Sequence, residues 1–446
     1  MNGDSRWWTR GWGTLPAGAR SLGQWLVLGS GVGVLCGAAS ALFLFLLEEA
    51  TAARLRHEGL VYALPLAGLA IGALYGRWGA SIRGGNNLVI DTVHEGDKRI
   101  PVRMAPLVMV GTVLTHLFGG SAGREGTAVQ MGASLADTLA HHLRVSPATR
   151  RELLAAGIAG GFGSVFGTPI AGTVFGLEVV AVGQLSYEAL VPALVSALVG
   201  DLVTRALGIH HAVYPTPAAL PLTPEVLLKW LVFGAVVAAV AGVFVEGVHG
   251  LKKGLERAVP SLPWRMALGG ALLVLMWKAV GTSDYLGLGV PMIQRAFVDP
   301  ALPPEAFALK LLFTAVTLGA GFLGGEVTPL FFVGAALGNG LGRLLGLPLE
   351  LCAGVGLAAL FGAAANTPLA LSFMAVELLG ASVLPHVVIV TVTAYLLTGA
   401  RGIYPAQRIA RLKHGGPLLE RLLPLRDLKA PRPPPAPPSK PPEERR

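Results

Sequence analysis

Apolar residues in this chain run in blocks and do not alternate with polar ones. Seven blocks, 24–47, 60–76, 187–207, 224–251, 263–281, 306–323 and 384–399, are predominantly apolar. A helix that crosses about 30 Å of hydrocarbon needs a run of this kind, so each block predicts a membrane-crossing helix. Four further segments, 127–140, 153–180, 329–346 and 351–376, are equally apolar but rich in glycine, and Pro169, Pro329 and Pro368 fall in them. Broken backbone is tolerated at membrane depth only where protein buries it or a wet cavity faces it. The pattern therefore predicts an all-α polytopic membrane protein with tilted and broken helices, of the kind that channels and transporters use.

Composition agrees with the pattern. Hydrophobic residues make up 53% of the 446, mean hydropathy is +0.61, and charged residues are 14%, against roughly 25% in soluble domains. The net charge of +9 suggests nucleic acid until it is located. From Arg401 to the end there are 11 Lys/Arg against 4 Asp/Glu, and the last 16 residues contain 8 prolines. Such a tail reads as extended and unstructured, and it removes nucleic acid from the expected partners. Arg6, Arg10 and Arg20 precede the first block. Two basic ends place both termini in the cytoplasm of a multi-pass cell-membrane protein with an even number of crossings. Cys36 and Cys352 lie in apolar runs and are read as packing residues, with no disulfide or metal framework.

A self-comparison is more informative. TPIAGTVFGLE (168–178) matches TPLALSFMAVE (367–377), with Glu nine positions after Pro in both. GREGTAVQMGASL (123–135) matches GEVTPLFFVGAAL (325–337), and GNN (85–87) matches GLG (287–289). The offsets are 199 for the first pair and 202 for the other two, so one duplication accounts for all three. Duplicated membrane halves place sites between them, where broken helices point their N-termini inward. Each N-terminus carries about half a positive charge and free N–H groups, so several together attract an anion without a lysine. The expected breaks are GGNN, GREGT, GEVTP and the segment near Tyr404. The boundaries read as a basic segment 1–23, a first half 24–210, a second half 211–410 and a Pro-rich tail 411–446.

Glu125 stands out among candidate residues. A carboxylate at membrane depth costs about 2.5–3.5 kcal/mol on insertion scales, so it needs a role or a partner. Gly123 and Gly126 flank it and let backbone N–H groups approach an anion; the bland alternative is an ion pair with Arg124. Thr328, Asn86 and Asn87 offer hydroxyl and amide donors at the other breaks, and Tyr404 offers a phenol, although alone each is as consistent with a cap or an interfacial anchor. Glu178 and Glu377, at matched helix ends, read as residues that reach the interface or cap structure. Residues 119–123, GGSAG, match G-x-S-x-G around Ser121 with His116 nearby, but a serine hydrolase needs a strand–turn–helix setting and an oriented base. Neither H-E-x-x-H nor a P-loop is present, so zinc proteolysis and ATP-driven pumping lack support.

Over roughly 24–410 these motifs resemble the CLC family of anion channels and anion/proton antiporters. GREGT at 123–127 resembles its gating-glutamate motif, GEVTP at 325–329 stands where the family has G-x-F-x-P, and Tyr404 stands where it has a central anion-coordinating tyrosine. The departures are specific. GGNNL replaces the GSGIP loop and puts Asn86 at the serine position. Val327 replaces the phenylalanine. Val179 replaces the inner proton-handling glutamate of chloride antiporters, and no CBS module follows. This combination resembles the fluoride-exporting bacterial branch.

The resemblance implies an inverted two-fold repeat of CLC type, a homodimer in the lipid bilayer, and fluoride/proton antiport that exports cytoplasmic fluoride. It makes Glu125 the gating and proton-transfer residue. Asn86, Asn87, Thr328 and Tyr404 would hold the anion, with backbone at Gly85, Gly126, Gly325 and Val327; Gly123, Arg124 and Glu326 would shape the site. No cofactor is implied. Alternatives are a chloride/proton antiporter, a passive chloride or fluoride channel and, in another class, an intramembrane serine hydrolase built on Ser121.

Overall fold

The structure, a computed structural model, describes residues 16–96, 98–413, 415 and 422–428. Among the described residues, eight α-helices precede the 207–223 connection: α1 (Ala17–Arg56), α2 (Leu64–Trp78), α3 (Asn86–Glu95), α4 (Met104–Leu117), α5 (Glu125–His142), α6 (Pro147–Phe166), α7 (Pro169–Glu178) and α8 (Leu190–Ala206). Eight follow it: α9 (Pro224–Ala258), α10 (Leu262–Val280), α11 (Val290–Val298), α12 (Ala306–Ala320), α13 (Val327–Leu345), α14 (Leu349–Ala365), α15 (Pro368–Leu379) and α16 (Leu384–Thr398). A small sheet joins β1 (Ala181–Val182), parallel, to β2 (Arg408–Ile409), and β2, antiparallel, to β3 (Leu423–Pro424). Among the described residues, five helical stretches are long and apolar enough to cross a membrane, and α4, α12, α14 and α15 are shorter apolar helices. The two sets repeat in order: the matched motifs open α3 and α5 in the first and lie at or just before α11 and α13 in the second.

Local chemistry sets the helix limits. Pro169 and Pro368 do not interrupt helices but open α7 and α15 at their first positions, where a missing N–H costs nothing. Ser146 and Thr223 cap α6 and α9 through their hydroxyls. Asn366, at a positive φ of 59°, closes α14. Glycine sets the distance between helices: a Cβ on Gly33 would lie 2.8 Å from Ser196 O, and one on Gly37 would lie 2.5 Å from Gly200 O. With Gly29, these residues form a small-residue stripe at every fourth position that brings α1 and α8 into backbone contact, the usual basis of helix association in a membrane.

Two reciprocal contacts express the repeat. Glu178, at the end of α7, accepts the N–H groups of Leu369 (3.1 Å) and Ala370 (2.8 Å) at the start of α15. Glu377, near the end of α15, accepts those of Ile170 (2.9 Å) and Ala171 (2.7 Å) at the start of α7. Each half thus supplies a carboxylate to cap the other half's broken helix.

The ends differ from the sequence expectation. α1 begins at Ala17, inside the expected 1–23 segment, and runs to Arg56. The tail is not unstructured throughout from 411, because β3 pairs with β2 and Arg426 holds Asp91 of α3 with two bonds of 3.0 and 3.1 Å. Local composition could not reveal those partners. Residues 1–15, 414, 416–421 and 429–446 lie outside the described residues.

Removing a reciprocal cap should expose its value. Glu178 is 5% exposed and Glu377 is exposed. Glu178→Ala is expected to lower the unfolding midpoint in detergent more than Glu377→Ala, with a cost of about 1–3 kcal/mol for the amides it leaves unpaired. Equal midpoints for both variants and the parent would contradict the capping role.

Candidate anion site

Two helix N-termini meet at the centre of the molecule. Gly123 and Gly325 form an isolated antiparallel bridge, with N–H···O distances of 2.7 and 2.8 Å in the two directions. α5 starts two residues after the first and α13 two residues after the second. The approach requires glycine, because a Cβ on Gly325 would lie 2.7 Å from Gly126 N.

Glu125 is the first residue of α5 and is fully buried. Its carboxylate does not point to solvent. Oε2 accepts the N–H groups of Arg124 (3.0 Å) and Thr328 (3.1 Å), and Oε1 accepts the Thr328 hydroxyl. Arg124 Nε lies 3.6 Å from Oε1, beyond hydrogen-bond reach, and has no hydrogen-bond partner of its own. The ion pair therefore contributes charge, while Thr328 provides the directed bonds. In effect the carboxylate of one half sits at the helix N-terminus of the other, where an anion would be held. Val327 is its counterpart at the first position of α13, so the repeat holds one titratable group here.

α3 supplies a third N-terminus. Gly85, at φ 54°, turns the chain into Asn86. Asn86 Nδ2 is 3.0 Å from where a Cβ on Gly126 would stand, and its Oδ1 is buried with no hydrogen-bond partner. Asn87 does something else: its Oδ1 accepts the Ala406 N–H at 2.9 Å and ties α3 to the Tyr404 loop. Tyr404 is buried, but no helix starts there. The segment makes a turn, Gln407 N to Tyr404 O at 3.0 Å, and passes into β2. The fourth expected helix N-terminus is therefore a turn, because pairing with β1 takes the chain into a strand.

A cavity of about 710 Å³ leads to this centre from one side. Gly85, Asn86, Asn87, Thr127, Gln130, Glu326 and Tyr404 line its inner part; Arg83, His249, Lys252, Glu256 and Arg265 also face it. It stops short of Glu125 and Thr328, which are not among its lining residues. Glu326, read from sequence only as a neighbour of the site, is a carboxylate on the cavity wall in electrostatic reach of Lys252 and Glu125. The signal was available, since a carboxylate at membrane depth is costly wherever it falls. Gln130, Lys252 and Arg265 gave none, because only the fold brings those helix ends together.

Two sequence candidates fall elsewhere. Ser121 is fully buried and bonds Thr314 Oγ1 (3.1 Å), while both His116 ring nitrogens face backbone carbonyls, of Thr112 (2.8 Å) and Ala122 (2.9 Å). The imidazole does not face the serine, so the hydrolase reading has no general base. Val179 is buried at the end of α7 and its carbonyl accepts Gln407 Nε2 at 2.9 Å, a structural position with no titratable atom.

Opposed helix N-termini around a buried carboxylate, reached by a cavity between two repeated halves, define a class of membrane protein that handles anions. Residues 67–399 match the voltage-gated chloride channel family. A chloride/fluoride channel protein of Pseudomonas syringae pv. tomato is 44% identical over 407 residues, covering 90% of each chain. A putative ClcB-like chloride channel protein of Ralstonia nicotianae is 31% identical over 72% of this chain and 78% of its own. Among solved structures, a CLC-type fluoride/proton antiporter superposes with a TM-score of 0.85 at 40% identity, covering 87% of this chain and 98% of that one. A slow cyanobacterial Cl⁻/H⁺ antiporter, at 18% identity and TM-score 0.73, shares the fold, covering 84% of this chain and 94% of its own. The chain belongs to the voltage-gated chloride channel (CLC) family, with its inverted two-fold repeat of tilted and broken helices.

The backbone apposition yields a stability prediction. Gly325→Ala is expected to cost about 1–3 kcal/mol by forcing the two N-termini apart. Gly340→Ala, within α13 with nothing in 4 Å of its added Cβ, should be neutral or stabilising by up to about 1 kcal/mol. Thermal unfolding in detergent compares them, and equal midpoints would contradict the close approach.

Proposed function

We propose that this protein exchanges fluoride for protons across a cell membrane and thereby exports cytoplasmic fluoride, with Glu125 as the gating and proton-transfer residue. The observation that carries the reading is the Glu125 carboxylate seated on the Thr328 amide and hydroxyl at the start of α13. Charge-assisted hydrogen bonds contribute roughly 1.5–3 kcal/mol each, about twice a neutral one. Protonation removes the charge, loosens the carboxyl from the amide and frees that N-terminus for an anion. One group therefore links proton occupancy to anion occupancy.

Asn86, Thr328 and Tyr404 are the proposed side-chain donors, with the backbone N–H groups of Gly126 and Val327; those expected at Gly85 and Gly325 already donate to the carbonyls of Ile82 and Gly123. Fluoride is small and strongly hydrated, so a site that accepts it must replace water with close donors, as an amide and a hydroxyl can. Asn87 holds the Tyr404 loop against α3. Glu326, on the cavity wall, is the carboxylate placed to pass protons between Glu125 and cavity water, a task that Val179 cannot perform. The fluoride/proton description of the 40%-identical structure supports the anion and the coupling. The Pseudomonas relative's description includes chloride, and the chloride reading therefore stands as the second one. In this proposal the protein is a homodimer with one pathway per chain, both termini cytoplasmic.

Reconstituted vesicles test the proposal directly. A fluoride gradient is expected to drive uphill proton movement, recorded with an internal pH dye, and an equal chloride gradient to drive much less. Fluoride flux without proton movement would overturn antiport, and equal coupling by the two anions would favour the chloride reading. Glu125→Gln is expected to abolish coupled exchange; undiminished coupling in that variant would remove Glu125 from the mechanism.

A further inference from the structure

At the far end of α2 from the cavity lies a buried cluster of basic side chains that the pathway above does not use. α2 and α10 run antiparallel: Gly72 packs on Pro263 and Leu64 on Gly270. Tyr75, Gly76 and the start of α10 line the cavity. At the opposite ends Tyr62 meets Trp277, and Trp277 bonds Ser283. The 15 residues of α2 separate these ends by about 22 Å.

There Arg54, His116 and Lys310 converge on the loop that leads into α11. Lys310 is fully buried and donates to the carbonyls of Tyr285 (3.2 Å) and Gly287 (2.7 Å). Arg54 is 5% exposed; its Nη2 lies 3.1 Å from where a Cβ on Gly287 would stand, and its Nε has no hydrogen-bond partner. Among the described residues neither cation makes an ion pair. The carboxylate that acts on Arg54 electrostatically is Glu58, which is exposed. Two buried basic groups without an adjacent acid are costly in their charged form unless a negative charge accompanies them. The loop beside them suits one. Gly287 and Gly289 hold left-handed φ of 58° and 75°, and Gly289 precedes the N-terminus of α11, which carries partial positive charge. This loop is the repeat's counterpart of the Gly85–Asn87 turn. His116 in turn contacts Ala122, which adjoins Gly123.

We infer that Arg54, Lys310 and the Gly287–Gly289 amides form a second halide-binding site, on the face opposite the cavity. Guanidinium, ammonium and amide N–H are all donors to a small monovalent anion. An anion held there waits behind the loop that carries Glu125. Its place on a transport route rests on the reading above, but its existence as a binding site does not.

Crystals of the full chain soaked in bromide and measured at the bromine edge provide the test, independent of any transport activity. The expected result is an anomalous peak in contact with Arg54 and the Gly287–Gly289 amides. The same peak should vanish in Arg54→Gln and in Lys310→Met. No peak at this loop in the parent protein would overturn the inference, and so would a peak unchanged in both variants. Peaks beside Asn86 and Thr328 report on the central site separately, so failure of one site is distinguishable from failure of the other.

Discussion

A helix that ends within a bilayer leaves amide N–H groups with no water to receive them, and each such group left alone costs several kcal/mol. In this protein α5 and α13 both begin in the interior, and their approaches bond to each other through Gly123 and Gly325. The packing around them serves that apposition. Small residues hold α1 on α8 at backbone distance, and reciprocal carboxylates fix α7 against α15. What remains at the centre is a set of amides pointing at one place, with electropositive helix ends behind them.

The two uses of carboxylates in this fold differ in symmetry. Glu178 and Glu377 are matched, and each caps the opposite half. Glu125 is unmatched, because Val327 stands at the same position of α13. A symmetric pair of acids at the centre would repel each other and hold both N-termini shut. A single acid can satisfy the amide of Thr328 and can also leave it, which a gate requires. Glu326 lies on the cavity side of the same junction, so the centre has one carboxylate bonded to the start of α13 and another on the cavity wall.

Much of this was legible in the sequence, for reasons that can be named. Block length and glycine content gave a polytopic helical protein with broken helices, and the register of GREGT against GEVTP placed Glu125 and Thr328 at equivalent breaks. Inverted repeats make equivalent breaks meet, but the seat of the Glu125 carboxylate on the Thr328 amide and hydroxyl is visible only in the fold. Other features depend on partners far apart in the chain. The Tyr404 segment looked like a helix start but is drawn into a strand by residues 181–182 and 423–424. Asn87 looked like Asn86's twin, yet its side chain accepts a backbone amide 319 positions away. Arg54 and Lys310 sit in separate helices with nothing local to pair them.

In the proposed mechanism the Glu125 carboxylate and the transported anion compete for the same donors at the start of α13. Calorimetric titration of fluoride into the parent protein and into Glu125→Ala, at equal pH in detergent, measures that competition. With no carboxylate on the Thr328 amide, the variant should bind fluoride about tenfold more tightly or better, which corresponds to about 1.4 kcal/mol. Equal or weaker binding by Glu125→Ala would contradict the competition and, with it, the gate.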